Sequence, residues 1–207
     1  MSKHALFSAS SAHLWTWCPW SPIISKLAED KPSGTAAKRG TKLHAVAHEW
    51  YTAYASGSED YEPPIMEGIS GVRFYVEYLV KEEQAGQRPI VETYVGDPFY
   101  TYGGTPDALM LREVVDFKTG EVLVPASGNM QLEFLAYCAD MHNAKLTIIQ
   151  NGRVLSDVQK EGGGIFQDAI TIGSTEKPKL VKGPKCQKCK GRSVCPAWTG
   201  KEDPNGF

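Results

Sequence analysis

Residues 103–120, Gly-Gly-Thr-Pro-Asp-Ala-Leu-Met-Leu-Arg-Glu-Val-Val-Asp-Phe-Lys-Thr-Gly, constrain this chain more than any other stretch. Ala108 to Leu111 is an apolar run. Val114, Val115 and Phe117 give a second run strand character, with a tight turn near Arg112-Glu113 between the two. Side chains alternate along a strand, so Asp116 and Lys118 share one face, and Val115 and Phe117 share the other, the predicted core face. Asp107 enters the first strand and can approach Asp116 across the ladder. Two carboxylates and an ammonium at one end of a sheet make a hard-cation site beside a point positive charge, which is the apparatus that phosphodiester cleavage needs. The same residues admit a plainer reading, with Asp107 capping a turn and Asp116–Lys118 forming a surface ion pair.

Composition narrows the setting. A chain of 207 residues, 42% hydrophobic and 22% charged, is expected to form one domain over 1–207 with a full core. No run of about 18 apolar residues is present, so no membrane span is predicted. No basic segment followed by an apolar one opens the chain, so a secretion signal is not expected and the cytoplasm is the predicted location. With a net charge of −2, any contact with nucleic acid has to come from local basic patches. Glycine-rich phosphate loops of the P-loop or dinucleotide type are missing, so nucleotide hydrolysis and hydride transfer have no support.

Along the chain, Ser8 to Glu29 reads as a helix weighted with Trp15, Trp17 and Trp20, capped by Ser10 or Ser11 and bent at Cys18-Pro19. Ala36 to Tyr54 reads as a second helix carrying Gly40, His44 and His48. The two histidines share a face and could in principle bind zinc, but the companion Glu of the zinc-protease motif is missing, so one functional His is the expectation. Gly40 inside a helix costs roughly 1 kcal/mol relative to Ala, which points to a close approach of backbone or ligand, or to the true helix start. Glu67 to Gln84 is a third helix, and Pro89 to Gly96 a strand in which Glu92 is either solvated or aimed at the same site as Asp107. Gly128 to Met141 is a helix with Cys138 as an apolar residue. Leu146 to Val158 is a hairpin turned by Asn151-Gly152. Ala169 to Ile172 reads as a short strand. The order predicts an α/β (α+β) fold, a mixed sheet flanked by helices.

Five cysteines in a chain with no secretion signal point to metal rather than to disulfides. Cys186-x2-Cys189-x5-Cys195 lies near one end, and Cys18-Pro19 near the other. Three clustered thiolates and one distant one suit a [4Fe–4S] cluster, with zinc as the alternative; either would tie the chain ends together. Around them, Lys177, Lys179, Lys182, Lys185, Lys188, Lys190 and Arg192 form a basic run. It is either a solvated tail or a phosphate-contacting rim, with Trp198 available to stack on bases.

In combination these residues resemble the RecB-like branch of the PD-(D/E)xK nucleases. More narrowly they resemble the members with an iron–sulfur staple: the CRISPR-associated four-cysteine nucleases, the AddB nuclease domain and phage-encoded relatives. Gly40-x-x-x-His44 looks like the first motif, Gly104-Thr105-Pro106-Asp107 the second, Asp116-Phe117-Lys118 the D-x-K motif, and Gln131-Leu132 the start of the Q-L-x-x-Y motif. Leu135 stands where the last motif has tyrosine, and the nearest tyrosine is Tyr137.

The resemblance implies a restriction-endonuclease-like fold with its ends tied by a cluster on Cys18, Cys186, Cys189 and Cys195. It implies Mg²⁺ or Mn²⁺ held by His44, Asp107, Asp116 and the Phe117 carbonyl. Lys118 would orient or deprotonate water, and Gln131 would position the nucleophile or strand. The implied substrate is DNA with single-stranded ends, cut as an exonuclease in a bacterial or phage-encoded setting of recombination, repair or CRISPR adaptation. Expected partners are a helicase, an annealing protein or a CRISPR adaptation protein. The alternative is a non-catalytic, cluster-stapled DNA-binding scaffold with a degenerate nuclease fold.

Overall fold

The computed structural model describes residues 5–29, 32, 34–58, 60–160, 162–175 and 180–200. Its centre is a five-stranded mixed sheet in the order β2 (Ile90–Val91), β5 (Ala108–Met110), β6 (Glu113–Lys118), β7 (Lys145–Gln150), β8 (Arg153–Val158). The first two pairings are antiparallel, β6–β7 is parallel, and β7–β8 is antiparallel. A second small sheet joins β1 (Phe7–Ser8), β4 (Tyr102–Gly104) and β3 (Val95–Gly96). The architecture is therefore mixed α+β, as the element order predicts, but with two sheets where one was expected.

Strand alternation sorts the core into two layers. Val115 and Phe117 of β6 face α3 (Thr35–Ala55) and α4 (Ile69–Gln84), where they pack with Leu43, Val72, Tyr75 and Leu79. Val114 and the β7 residues Leu146 and Ile148 face the other side, against α5 (Met130–Cys138) and α6 (Gly164–Gly173). There Phe7, Trp15, Phe134 and Phe166 interlock edge to face or tilted, with ring centroids 4.8 to 5.9 Å apart. Cys138 packs beside this layer, and burial pushes its thiol up to about 12, as expected of an apolar residue and not a ligand.

Four local readings need correction. The segment Ser8 to Glu29 is not one bent helix: after β1 come a 3-10 turn (Ala9–Ser11), α1 (Ala12–Trp15) and α2 (Ser21–Lys26), since two prolines deny the chain a continuous ladder. Ser11 does not cap α1; its hydroxyl returns to the Ser8 carbonyl. Pro89 to Gly96 is two strands in two different sheets, broken at Glu92, whose φ of 51° cannot continue a ladder. Ala169 to Ile172 lies in a helix, α6, because Phe166, Ala169, Ile170 and Gly173 at helical spacing bury one face. The Asn151-Gly152 hairpin forms as expected, with both residues at positive φ (52° and 69°).

Gly104 lets the first turn of the chain close on the sheet. A Cβ there would stand 2.6 Å from Ala9 Cβ and 3.0 Å from Leu135 Cδ2. Gly104→Ala is expected to destabilise by roughly 1–3 kcal/mol, a Tm loss of a few degrees in a thermal melt. A melt equal to wild type would contradict this packing.

Candidate active site

β6 ends where α3 and α5 converge, one from each side of the sheet. Ala108 pairs with Val115, which brings Asp107 level with Asp116. Asp107 then turns toward α3. Its Oδ1 lies 2.7 Å from His44 Nδ1, and its Oδ2 accepts the Phe117 N–H at 2.6 Å. One carboxylate thus fixes both the imidazole and the backbone of the D-x-K strand. Gly40, one turn before His44, explains itself here: a Cβ would meet Thr119 Oγ1 at 3.1 Å, so the glycine admits the end of β6.

On the other side of the sheet, Asp116 and Lys118 point at α5, as alternation requires. Lys118 Nζ is 2.7 Å from Asp116 Oδ2, with side chains 28% and 6% exposed. The contact is a buried ion pair, with the ammonium within hydrogen-bonding distance of Oδ2. Gln131 spans the pair, donating from Nε2 to Asp116 Oδ1 at 2.9 Å and accepting from Lys118 Nζ at 3.3 Å. It is held at the start of α5 by Asn129, whose side chain caps the N–H groups of Gln131 and Leu132.

Charge reflects this crowding. Burial raises Asp116 to about 6, with Lys118 opposing and Asp107 adding to the shift. Burial lowers His44, but the hydrogen bond and charge of Asp107, helped by Asp116 and Glu92, outweigh it, and the net direction is up.

Sequence reasoning left Glu92 open, and the structure resolves it. His44, Glu92 and Asp107 each present a ligand atom within 4.8 Å of the other two. This acidic group could hold a metal ion. Asp116, expected in the same set, stands outside it among the described residues, because it faces the opposite side of the sheet. Partial burial and the Asp107 charge raise the Glu92 carboxyl. Its left-handed backbone is strained for a side chain other than glycine, as residues at functional sites often are. His48 sits beside His44 and Glu92 but is not one of the three.

The four cysteines singled out by spacing line one apolar cavity with Leu14, Trp17, Ile24 and Trp198. Among the described residues, no three of their sulfurs lie within 4.8 Å of one another. A closed tetrahedral zinc set, with sulfurs ~3.8 Å apart, is therefore not formed. The basic run is partly accounted for: Lys182 and Arg192 stack over the Trp198 ring at 5.5 and 5.7 Å, so that ring is already engaged by cations. Lys177 and Lys179 lie outside the described residues.

Residues 4–75 match the family described as "Protein of unknown function (DUF2800)". No curated protein matches. Among solved structures, similarity is found to an alkaline exonuclease (LHK-Exo) from Laribacter hongkongensis, with 12% identity over 81% of this chain and 83% of that one and a TM-score of 0.44. The same exonuclease in complex with dAMP gives 12% identity, 81% and 84% coverage and 0.42. SSO0001 gives 14% identity, 96% and 89% coverage and 0.47. Among the described residues no helix is long and apolar enough to cross a membrane.

Proposed function

We propose that this chain is a divalent-metal-dependent DNA nuclease of the RecB-like PD-(D/E)xK type, acting as a single unit over 1–207 on DNA with single-stranded ends, as an exonuclease. The observation that carries the reading is the convergence of His44, Glu92 and Asp107, each with a ligand atom within 4.8 Å of the other two, with Asp107 also accepting the N–H of Phe117 between Asp116 and Lys118. An imidazole and two carboxylates converging that closely are suited to a hard divalent ion.

His44, Glu92 and Asp107 would hold one ion, and Asp107, Asp116 and the Phe117 carbonyl another; both are proposed as Mg²⁺ or Mn²⁺. Bound there, the ions would activate water and stabilise the leaving oxygen. Lys118 would orient or help deprotonate the water and offset charge as it develops. Gln131 keeps Lys118 and Asp116 in register. Cys18, Cys186, Cys189 and Cys195 would hold a [4Fe–4S] cluster, which separates its thiolates more widely than a single zinc ion does. Its role would be structural, closing the N-terminal segment onto the C-terminal one. The intact His44, Asp107, Asp116 and Lys118 set weighs against a degenerate scaffold.

The test is Mn²⁺-dependent degradation of end-labelled single-stranded DNA by anaerobically purified protein. Lys118→Ala is expected to lose about 10²–10⁴-fold in rate while keeping its fold. Wild type that stays inert with its metals bound, or a variant as active as wild type, would end the nuclease reading.

A further inference from the structure

A cleft of about 530 Å³ lies between the N-terminal serine segment and the C-terminal lysines, lined by Ser8, Ser10, Ser11, Lys26, Lys188 and Lys190, with no carboxylate in its wall among the described residues. None of these lysines has an ion-pair partner among the described residues. The three serine hydroxyls are gathered at one point, with Ser8 Oγ 2.8 Å from Ser11 Oγ and 3.4 Å from Ser10 Oγ. Ser11 gives its proton to the Ser8 carbonyl, so the Ser8 and Ser10 hydroxyls, beside ammonium groups with no ion-pair partner among the described residues, form the donor set for a tetrahedral oxyanion. His13, in the same wall, registers the positive field: burial and then the charges of Lys188 and Lys185 hold its imidazole below the ordinary range.

We propose that this cleft is a second phosphate site, separate from the carboxylate site, that grips the backbone of a single nucleic-acid strand without reading its sequence. The nucleic-acid identity of the ligand rests on the nuclease reading; the oxyanion chemistry does not. Size fits, since the volume lies in the range of small-ligand sites. Position fits too. Ser8 pairs with Gly103 in the parallel β1–β4 ladder, and Asp107 follows four residues later. Chain reach and strand spacing place the two Cα atoms within about 20 Å. One strand can therefore occupy both sites, held in the cleft by phosphates while another phosphate lies at Asp107 and Asp116. The cleft spans elements from both ends of the chain, so the contacts joining those ends also build it.

Binding is tested apart from cleavage, by anisotropy of a labelled single-stranded oligonucleotide in EDTA, with metal content at the cysteines checked in every sample. Lys26→Ala/Lys188→Ala is expected to weaken binding about 10-fold or more, and to reduce the slope of log affinity against log salt by about 1.4, two contacts at about 0.7 each. Lys188 neighbours Cys189, and Lys26 follows Ser25, whose hydroxyl lies 3.8 Å from Cys189 Sγ, so Ser8→Ala/Ser10→Ala, which leaves every charge beside the cysteines in place, is measured as well and is expected to weaken binding in the same direction. Inorganic phosphate is expected to compete at millimolar concentration. Variants that bind as wild type with an unchanged slope would overturn the proposal, as would displacement by poly-glutamate but not by phosphate. Wild type that binds through the cleft but does not cut would overturn the nuclease reading and leave this one standing; wild type that cuts while both variants bind normally would do the reverse.

Discussion

Asp116→Asn is expected to reduce metal-dependent cleavage by about 10³-fold or more while making the metal-free protein more stable above neutral pH. The two effects share one cause. Asp116 is a carboxylate 6% exposed, and its burial raises it from 3.8 to about 6 against the pull of Lys118. Between pH 4 and pH 6 the folded chain therefore keeps a proton that the unfolded chain has released. Stability falls as pH rises through that window, and above it the full penalty of the buried charge remains, about 3 kcal/mol. Asparagine keeps the shape and removes the charge. Lys118 is not stranded by the change, being 28% exposed and still hydrogen-bonded to Gln131 Oε1. Melts in EDTA at pH 4 and pH 8 are expected to show the variant gaining on wild type by about 6–12 °C over that interval. An active variant, or a stability difference that does not move with pH, would contradict the assignment of Asp116 as a strained metal ligand.

Cys18→Ser is expected to empty the cysteine site and to lower Tm by about 10 °C or more. The C-terminal segment has little structure of its own: a 3-10 turn (Pro184–Lys188), another (Lys190–Ser193) and the four-residue α7 (Pro196–Thr199). Pieces that short do not persist without tertiary partners. What holds them is α2, onto whose Ile24 backbone Gly191 packs so closely that a Cβ would overlap it, and Ser25, whose hydroxyl lies 3.8 Å from Cys189 Sγ. A metal bound jointly by Cys18 and the C-terminal thiols would add its binding free energy to that thin contact, and losing it removes several kcal/mol of folding energy. Metal analysis, visible absorption and calorimetry on wild type and variant read this directly. Iron with sulfide would identify a cluster, and stoichiometric zinc would replace it. A variant that keeps its metal and its melt would show that the staple does not run through Cys18.

What was legible in the sequence was whatever short-range geometry dictates. Alternation along β6 put Asp116 and Lys118 on one face and Phe117 on the other, since the pleat leaves no choice. Asn151-Gly152 announced its hairpin because few residues tolerate two successive positive φ values. The 3.6-residue period placed His44 on a helix. Where local preference and burial disagreed, the reading failed. Ala169 to Ile172 has β-branched residues but lies in α6, because packing Phe166 and Ile170 under α5 outweighs propensity.

The sequence by itself determined which chemical groups the chain carries and the face each takes on its own element. Tertiary structure alone decided that β1 pairs with β4, that the chain breaks at Glu92 after β2, and that His44, Glu92 and Asp107 converge closely enough to hold a metal ion, with Asp116 across the sheet. It also brought Ser8–Ser11 opposite Lys188 and Lys190. The physical reason is range. Side-chain direction follows from covalent geometry within two to four residues, whereas convergence depends on which apolar surfaces, far apart in the chain, bury one another.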